Sequence, residues 1–189
     1  MERQAQGERR GADAEAGVRP APPPLDDETL AYAQLIFQLV RGGDAARLGP
    51  LLARGLPPNL CNQNGDSLLM LASYHGHAEA ARLLLLHGAD TGLRNDRGQT
   101  PLAAAAFKGD TPVVSLLLAH GADVEGVSPD GRTVLMLAAM FDRVEVLELL
   151  LAAGADMFAR DGRGMTALDA ARAMGAHGAA ARLAALSPS

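Results

Sequence analysis

The sequence contains no tryptophan, and aromatic residues make up 3% of its 189 positions. Its core must therefore be built from aliphatic side chains and alanine, which favours closely packed helices over an aromatic-rich β-sandwich. The single cysteine, Cys61, excludes an intramolecular disulfide and a cysteine-based metal cluster. Lysine occurs once, at Lys108, and the 17 basic residues are dispersed along a chain of net charge −5. Nucleic acid needs a concentrated basic face, so it is not an expected partner. The most apolar runs, 83–86 and 147–151, fall far short of the ~20 residues that span a bilayer. Residues 1–11 are charged and no apolar segment of signal-peptide type follows them. The expectation is a cytoplasmic protein that does not enter membranes.

What the chain does contain is a period. Gly65, Gly98, Gly131 and Gly164 are each 33 residues apart, and Gly-Ala-Asp recurs from Gly88, Gly121 and Gly154 at the same interval. Gly55 extends that second series one step back. Self-similarity of this kind outranks any element-by-element reading. Each unit opens on Gly-x-[Ser/Thr]-x-Leu, continues into an Ala-rich segment, breaks at polar residues and ends in a Leu/Val-rich segment. Residues 1–24 lie outside the period, are rich in Ala, Gly, Glu, Arg and Pro, and end in Pro22-Pro23-Pro24. They hold too little apolar surface to offset chain entropy, so they are expected to be a disordered leader rather than a polyproline ligand.

The physics of one unit follows from its residues. Ser67, Thr100, Thr133 and Thr166 precede apolar runs as helix N-caps, and Pro101 takes the first helical position, where its missing N–H costs nothing. Ala72, Ala103 to Ala106, Ala138 and Ala139 let neighbouring first helices approach closely. Pro112 starts a second helix whose apolar face is Val113, Val114, Leu116 and Leu117. Gly88, Gly121 and Gly154 stop the second helices in a left-handed conformation. His87 and His120 share a last-turn position, where a cation would favour the helix dipole.

These units resemble ankyrin repeats. The residues that carry the resemblance are Gly98-Gln99-Thr100-Pro101-Leu102, Gly76-His77, Leu116-Leu117-Leu118 and Gly121-Ala122-Asp123, and it covers about residues 32–186. It implies an all-α solenoid of β-turn fingers and antiparallel helix pairs, stacked so that each unit buries its faces against its neighbours. The units are expected at 32–64, 65–97, 98–130 and 131–163, with a truncated cap at 164–186. The domain would run from 28 to 186, between a leader at 1–27 and a tail at 187–189. The cap's second helix is mostly alanine and is expected to fray. The family usually carries a His after Pro-Leu that ties units together; Met70, Ala103, Met136 and Asp169 stand there instead. Packing is thus expected to replace those inter-unit hydrogen bonds.

Candidate chemistry is sparse. His75-Gly76-His77 pairs two imidazoles without a nearby third ligand and matches the family's inter-helix turn, so no metal is expected. Asp90, Asp123 and Asp156 recur one repeat apart and read as turn and capping residues, whereas paired catalytic carboxylates share one pocket. Nucleophile elbow, Walker loop and dinucleotide fingerprint are all absent.

The resemblance places a protein partner on the concave side, formed by finger tips and first-helix ends. By register the fingers offer Asn64, Asp66, Arg97, Gln99, Asp130, Arg132, Arg163 and Met165. The helix ends offer Tyr74, His75, Phe107, Lys108, Met140 and Phe141, with Tyr74, Phe107 and Met140 at identical positions as an apolar stripe. The expected function is a non-catalytic interaction module, working as adaptor, inhibitor or accessory subunit, monomeric and without a cofactor. The alternative is a secreted effector exported through residues 1–25. An enzyme would need a pocket that a one-layer solenoid hardly provides. Among ankyrin-type proteins, the composition lies nearer to small bacterial members than to long eukaryotic arrays.

Overall fold

A computed structural model describes residues 26–187. Of the leader expected at 1–27 and the tail expected at 187–189, residues 1–25 and 188–189 fall outside the described residues. Ten helices follow one another as five antiparallel pairs. The first helix of each pair is α1 (Asp27–Arg41), α3 (Leu68–Tyr74), α5 (Pro101–Lys108), α7 (Val134–Met140) or α9 (Ala167–Met174). The second helices are α2 (Ala45–Ala53), α4 (Ala78–Leu86), α6 (Thr111–Ala119), α8 (Val144–Ala152) and α10 (His177–Leu186). First helices pack on first helices, α1 to α3 to α5 to α7 to α9, and second helices form a parallel row from α2 to α10. This is an all-α repeat solenoid.

The caps do what the sequence asks of them. Ser67, Thr100 and Thr133 side chains accept hydrogen bonds from the amides of Met70, Ala103 and Met136, and Thr166 from that of Asp169. α1 begins at Asp27, capped by the Asp26 carboxylate, which accepts from the Thr29 amide. The row of first helices closes over alanines that retain no solvent exposure, Ala72, Ala105, Ala106, Ala138, Ala139 and Ala171. Behind them Leu84, Leu117, Leu150 and Leu183 fill equivalent positions of the second helices, all fully buried.

Between pairs, each finger is a tight turn closed by a left-handed glycine, with φ of 73°, 72°, 79° and 78° at Gly65, Gly98, Gly131 and Gly164. Between the helices of a pair the same device recurs at Gly76, Gly109 and Gly175, but Asp142 stands in that register and still takes φ 53°. It is the one non-glycine residue with positive φ among those described.

One expectation needs correction. Loss of the family's histidine does not leave the repeats joined by packing alone. The ties have moved to other residues: His77 Nε2 lies 2.8 Å from the Arg41 carbonyl, and Arg143 Nε donates to the Phe107 carbonyl. Asn95 donates to Asp66, and the Asp90 amide donates to Asn59. Asp169 meanwhile serves its own helix, completing a capping box with Thr166. The last helix, α10, runs over ten residues. It is anchored by buried Ala179 and Leu183 and by the Arg182–Glu148 ion pair.

Candidate functional site

The ends of the first helices bring aromatic side chains from successive repeats into one row. The Tyr74 and Phe107 rings stack nearly parallel, with centroids 6.4 Å apart and an interplanar angle of 8°. Phe107 in turn meets Phe141 edge to face at 4.6 Å, and Lys108 Nζ sits 5.1 Å from the centre of the Tyr74 ring. Aromatic pairs of this kind contribute about 0.5–1.5 kcal/mol beyond area burial, and an exposed cation–π contact about 0.5–1 kcal/mol. The row therefore braces neighbouring repeats while leaving Tyr74 42% exposed.

The third member of this row differs from the expected one. α7 stops at Met140, and Phe141 takes the cap position. It is the Phe141 ring that reaches Phe107. Met140 instead lines a separate cleft of about 160 Å³ with Met136, Met165 and Met174. His75 lies beside the row, its ring edge-on to Tyr74 at 5.3 Å. Partial burial, aided by His77, Arg41 and Lys108, holds its imidazole below the ordinary histidine value. His75 therefore stays neutral near pH 7, and Lys108 supplies the charge at the rim.

Finger residues divide into surface and frame. Asn64, Arg97, Gln99, Asp130 and Arg163 are exposed, and Arg132 and Met165 are half-buried. Asp66 is only 9% exposed and is a structural residue, contrary to expectation. Its two carboxylate oxygens accept from Asn62 at 3.1 Å and from Asn95 of the next finger at 2.8 Å. Asn62, Asn95 and Asp161 were not singled out from sequence. Each uses one side-chain oxygen to accept two backbone amides of its own turn, for Asn95 those of Arg97 and Gln99. Their common register, 33 residues apart and broken by Ser128 in between, is a signal already in the sequence.

The candidates for chemistry turn out to be local structure. His75 and His77 rings stack 5.9 Å apart, but a carbonyl only accepts, so His77 Nε2 must carry a proton and donate it to Arg41. Among the described residues no group of three His, Cys, Asp or Glu side chains gathers to hold a metal. Asp90, Asp123 and Asp156 accept from the amides of Gly92, Glu125 and Phe158, each two residues on, as turn residues do. His87 and His120 donate from Nδ1 to the Leu83 and Leu116 carbonyls, so their place at the helix ends needs hydrogen bonding and no positive charge.

The family described as ankyrin repeats (3 copies) matches residues 36–126 and 69–161, together most of the chain. The chain belongs to the ankyrin repeat family. Ankyrin repeats are in general protein–protein interaction modules and typically have no catalytic activity. A Pseudomonas aeruginosa protein named for its ankyrin repeats is 59% identical over 61 residues. That match spans 32% of this chain and 36% of the relative. No helix among the described residues is long and apolar enough to cross a membrane.

Proposed function

We propose that this ankyrin protein is a non-catalytic adaptor, inhibitor or accessory subunit. It would hold a cytoplasmic partner protein on the face made by its finger tips and first-helix ends. The binding unit in this reading is a monomer spanning residues 28–186, divided at 65, 98, 131 and 164. The observation that carries the reading is the Tyr74–Phe107–Phe141 row. Three of the six aromatics in the sequence meet in one row, with Tyr74 exposed and Lys108 at its edge. Rigid aromatic surface beside a charge is where interface energy concentrates. The surface around it offers His75, Met140, Asn64, Arg97, Gln99, Asp130 and Arg132, while Asp66 is too buried to take part.

The test is affinity capture with mass spectrometry, comparing wild type with a Tyr74→Ala/Phe107→Ala variant whose helicity and melting are checked first. Partners that depend on the row should be recovered at least about ten-fold less by the folded variant, a loss of the size expected for truncating an aromatic hot spot. Equal recovery of the same partners by both baits would defeat the reading.

A further inference from the structure

The four fingers are not joined alike. The Asp96 amide donates to the Asn64 carbonyl at 3.1 Å, and the Gly162 amide donates to the Asp130 carbonyl at 3.0 Å. The same register between the third and fourth repeats pairs the Arg97 carbonyl with Pro129, which has no N–H to give. Its ring lies against Gly98 instead, so close that a Cβ on Gly98 would come within 2.6 Å of it. The two fingers are held by Arg94, whose guanidinium donates to both the Gly98 and the Val127 carbonyls.

Where the backbone tie is missing there is a cleft of about 360 Å³. Its floor is aliphatic, from Ala103, Val134 and Leu137, and its walls carry Arg94, Arg97 and Arg132 against one carboxylate, Asp130. Three guanidinium groups in one cleft are out of keeping with a chain of net charge −5. Asp130 does not neutralise them fully. It accepts from the Ser128 hydroxyl, and although Arg132 Nε lies 3.1 Å from its Oδ2, that N–H is shielded from solvent and has no hydrogen bond. On its other side Arg132 borders the 160 Å³ cleft lined by Met136, Met140, Met165 and Met174. Thioether side chains of that kind accommodate apolar groups of varied shape.

We propose that the gap between the second and third fingers, those of Gly98 and Gly131, is a docking site for an acidic polypeptide segment. One Asp or Glu carboxylate of the partner sits among Arg94, Arg97 and Arg132, and an aliphatic side chain beside it enters the methionine cleft. The aliphatic floor and the adjoining methionine cleft favour a peptide over a free anion, since an inorganic ion has nothing to place there. The inference rests on the reading of this protein as an interaction module and names the chemistry of its partner.

The test is selection of a random peptide display library on the full chain. Wild type should enrich peptides that place Asp or Glu next to an aliphatic residue. The most enriched sequence, synthesised, should bind at least about ten-fold more tightly than its Gln/Asn counterpart, the discrimination expected of a charge-assisted pair. An Arg97→Gln/Arg132→Gln variant should lose that difference while keeping its melting temperature. Pro129→Ala, which leaves every arginine in place but restores the missing N–H, should weaken binding by narrowing the gap. Enrichment without acidic residues, or equal binding of the amide counterpart, would overturn the proposal. So would displacement of the peptide by sodium phosphate at matching concentration, which would mean an anion site only. If enriched peptides depend on Tyr74 and Phe107 but on no carboxylate, the interaction function stands and this site falls; if nothing is enriched over bare support, both fall.

Discussion

Asp142 joins the fourth repeat to the cap, and its replacement separates two effects that usually travel together. Its backbone is left-handed, φ 53°, in a register where Gly76, Gly109 and Gly175 hold the same turn. Its side chain explains why a glycine is absent. The N-cap of α10 is Ala176, which has no capping side chain, and Asp142 Oδ1 accepts from the Ala179 amide at 2.6 Å from across the repeat boundary. Gly178 leaves room for that carboxylate, since a Cβ there would stand 3.1 Å from Oδ1. An N-cap is worth about 1 kcal/mol, with a further ~0.5 kcal/mol for a negative charge at a helix N-terminus. The left-handed backbone costs a non-glycine residue about 1 kcal/mol. Asp142→Ala forfeits the cap and keeps the backbone cost, so it should destabilise α9 and α10 by about 1.5–2 kcal/mol. Asp142→Gly forfeits the cap but relaxes the turn, for a net loss of about 0.5 kcal/mol. Asp142→Asn keeps an acceptor and loses only the charge, with a cost of about 0.5 kcal/mol. Amide exchange across residues 177–186 reads these losses directly, because a solenoid opens from its ends and the central repeats serve as an internal reference. Equal exchange rates in the Ala and Asn variants would refute the trans-cap argument.

Pro129→Ala should create a protected amide at position 129, exchanging as slowly as that of Asp96 if the Arg97 carbonyl accepts from it; exchange at the rate of an open loop would show that the gap has another cause. The Asp161 carboxyl is held below the ordinary carboxylate value, chiefly by the Met165 amide and then by those of Arg163 and its guanidinium. Because its folded pKa lies below the unfolded one, its contribution is complete above the ordinary carboxylate value near pH 4 and is lost as pH falls through the lowered one. Asp161→Asn should flatten that stretch of the stability–pH curve, measured by urea melts; an unchanged acid slope would contradict the assignment.

The fold was legible because a solenoid repeats its solution. The 33-residue spacing, the Ser/Thr caps and the glycine stops each appear several times, so one unit interprets the next. The aromatic row was legible for the same reason at Tyr74 and Phe107. Its third member is Phe141, one position beyond the 33-residue register, so strict spacing from Tyr74 and Phe107 points to Met140 instead. Asp66 was misjudged since register assigns a position to the finger but not a direction to its side chain. Whether that carboxylate meets solvent or Asn95 depends on how closely the next finger stands. Pro129 was visible as a residue, yet its consequence depends on which backbone amide crosses between fingers, and that becomes apparent only from Asp96 and Gly162 on either side.

A solenoid can tolerate such a gap because its interfaces are nearly independent of one another. Between α5 and α7 the helices remain closed over Ala105, Ala106, Ala138 and Ala139, all without solvent exposure. Losing one finger hydrogen bond, worth about 0.5–1.5 kcal/mol, therefore widens the surface without loosening the core beneath it. In a globular enzyme a comparable cleft would be shaped by many elements at once. Here one proline and the arginines around it suffice, so the docking chemistry can differ from one finger to the next while the helix rows stay the same. Fold alone thus leaves the choice of partner open, and the proposed docking chemistry rests on departures from the repeat: Pro129 at the second finger gap and the shift of the aromatic row onto Phe141.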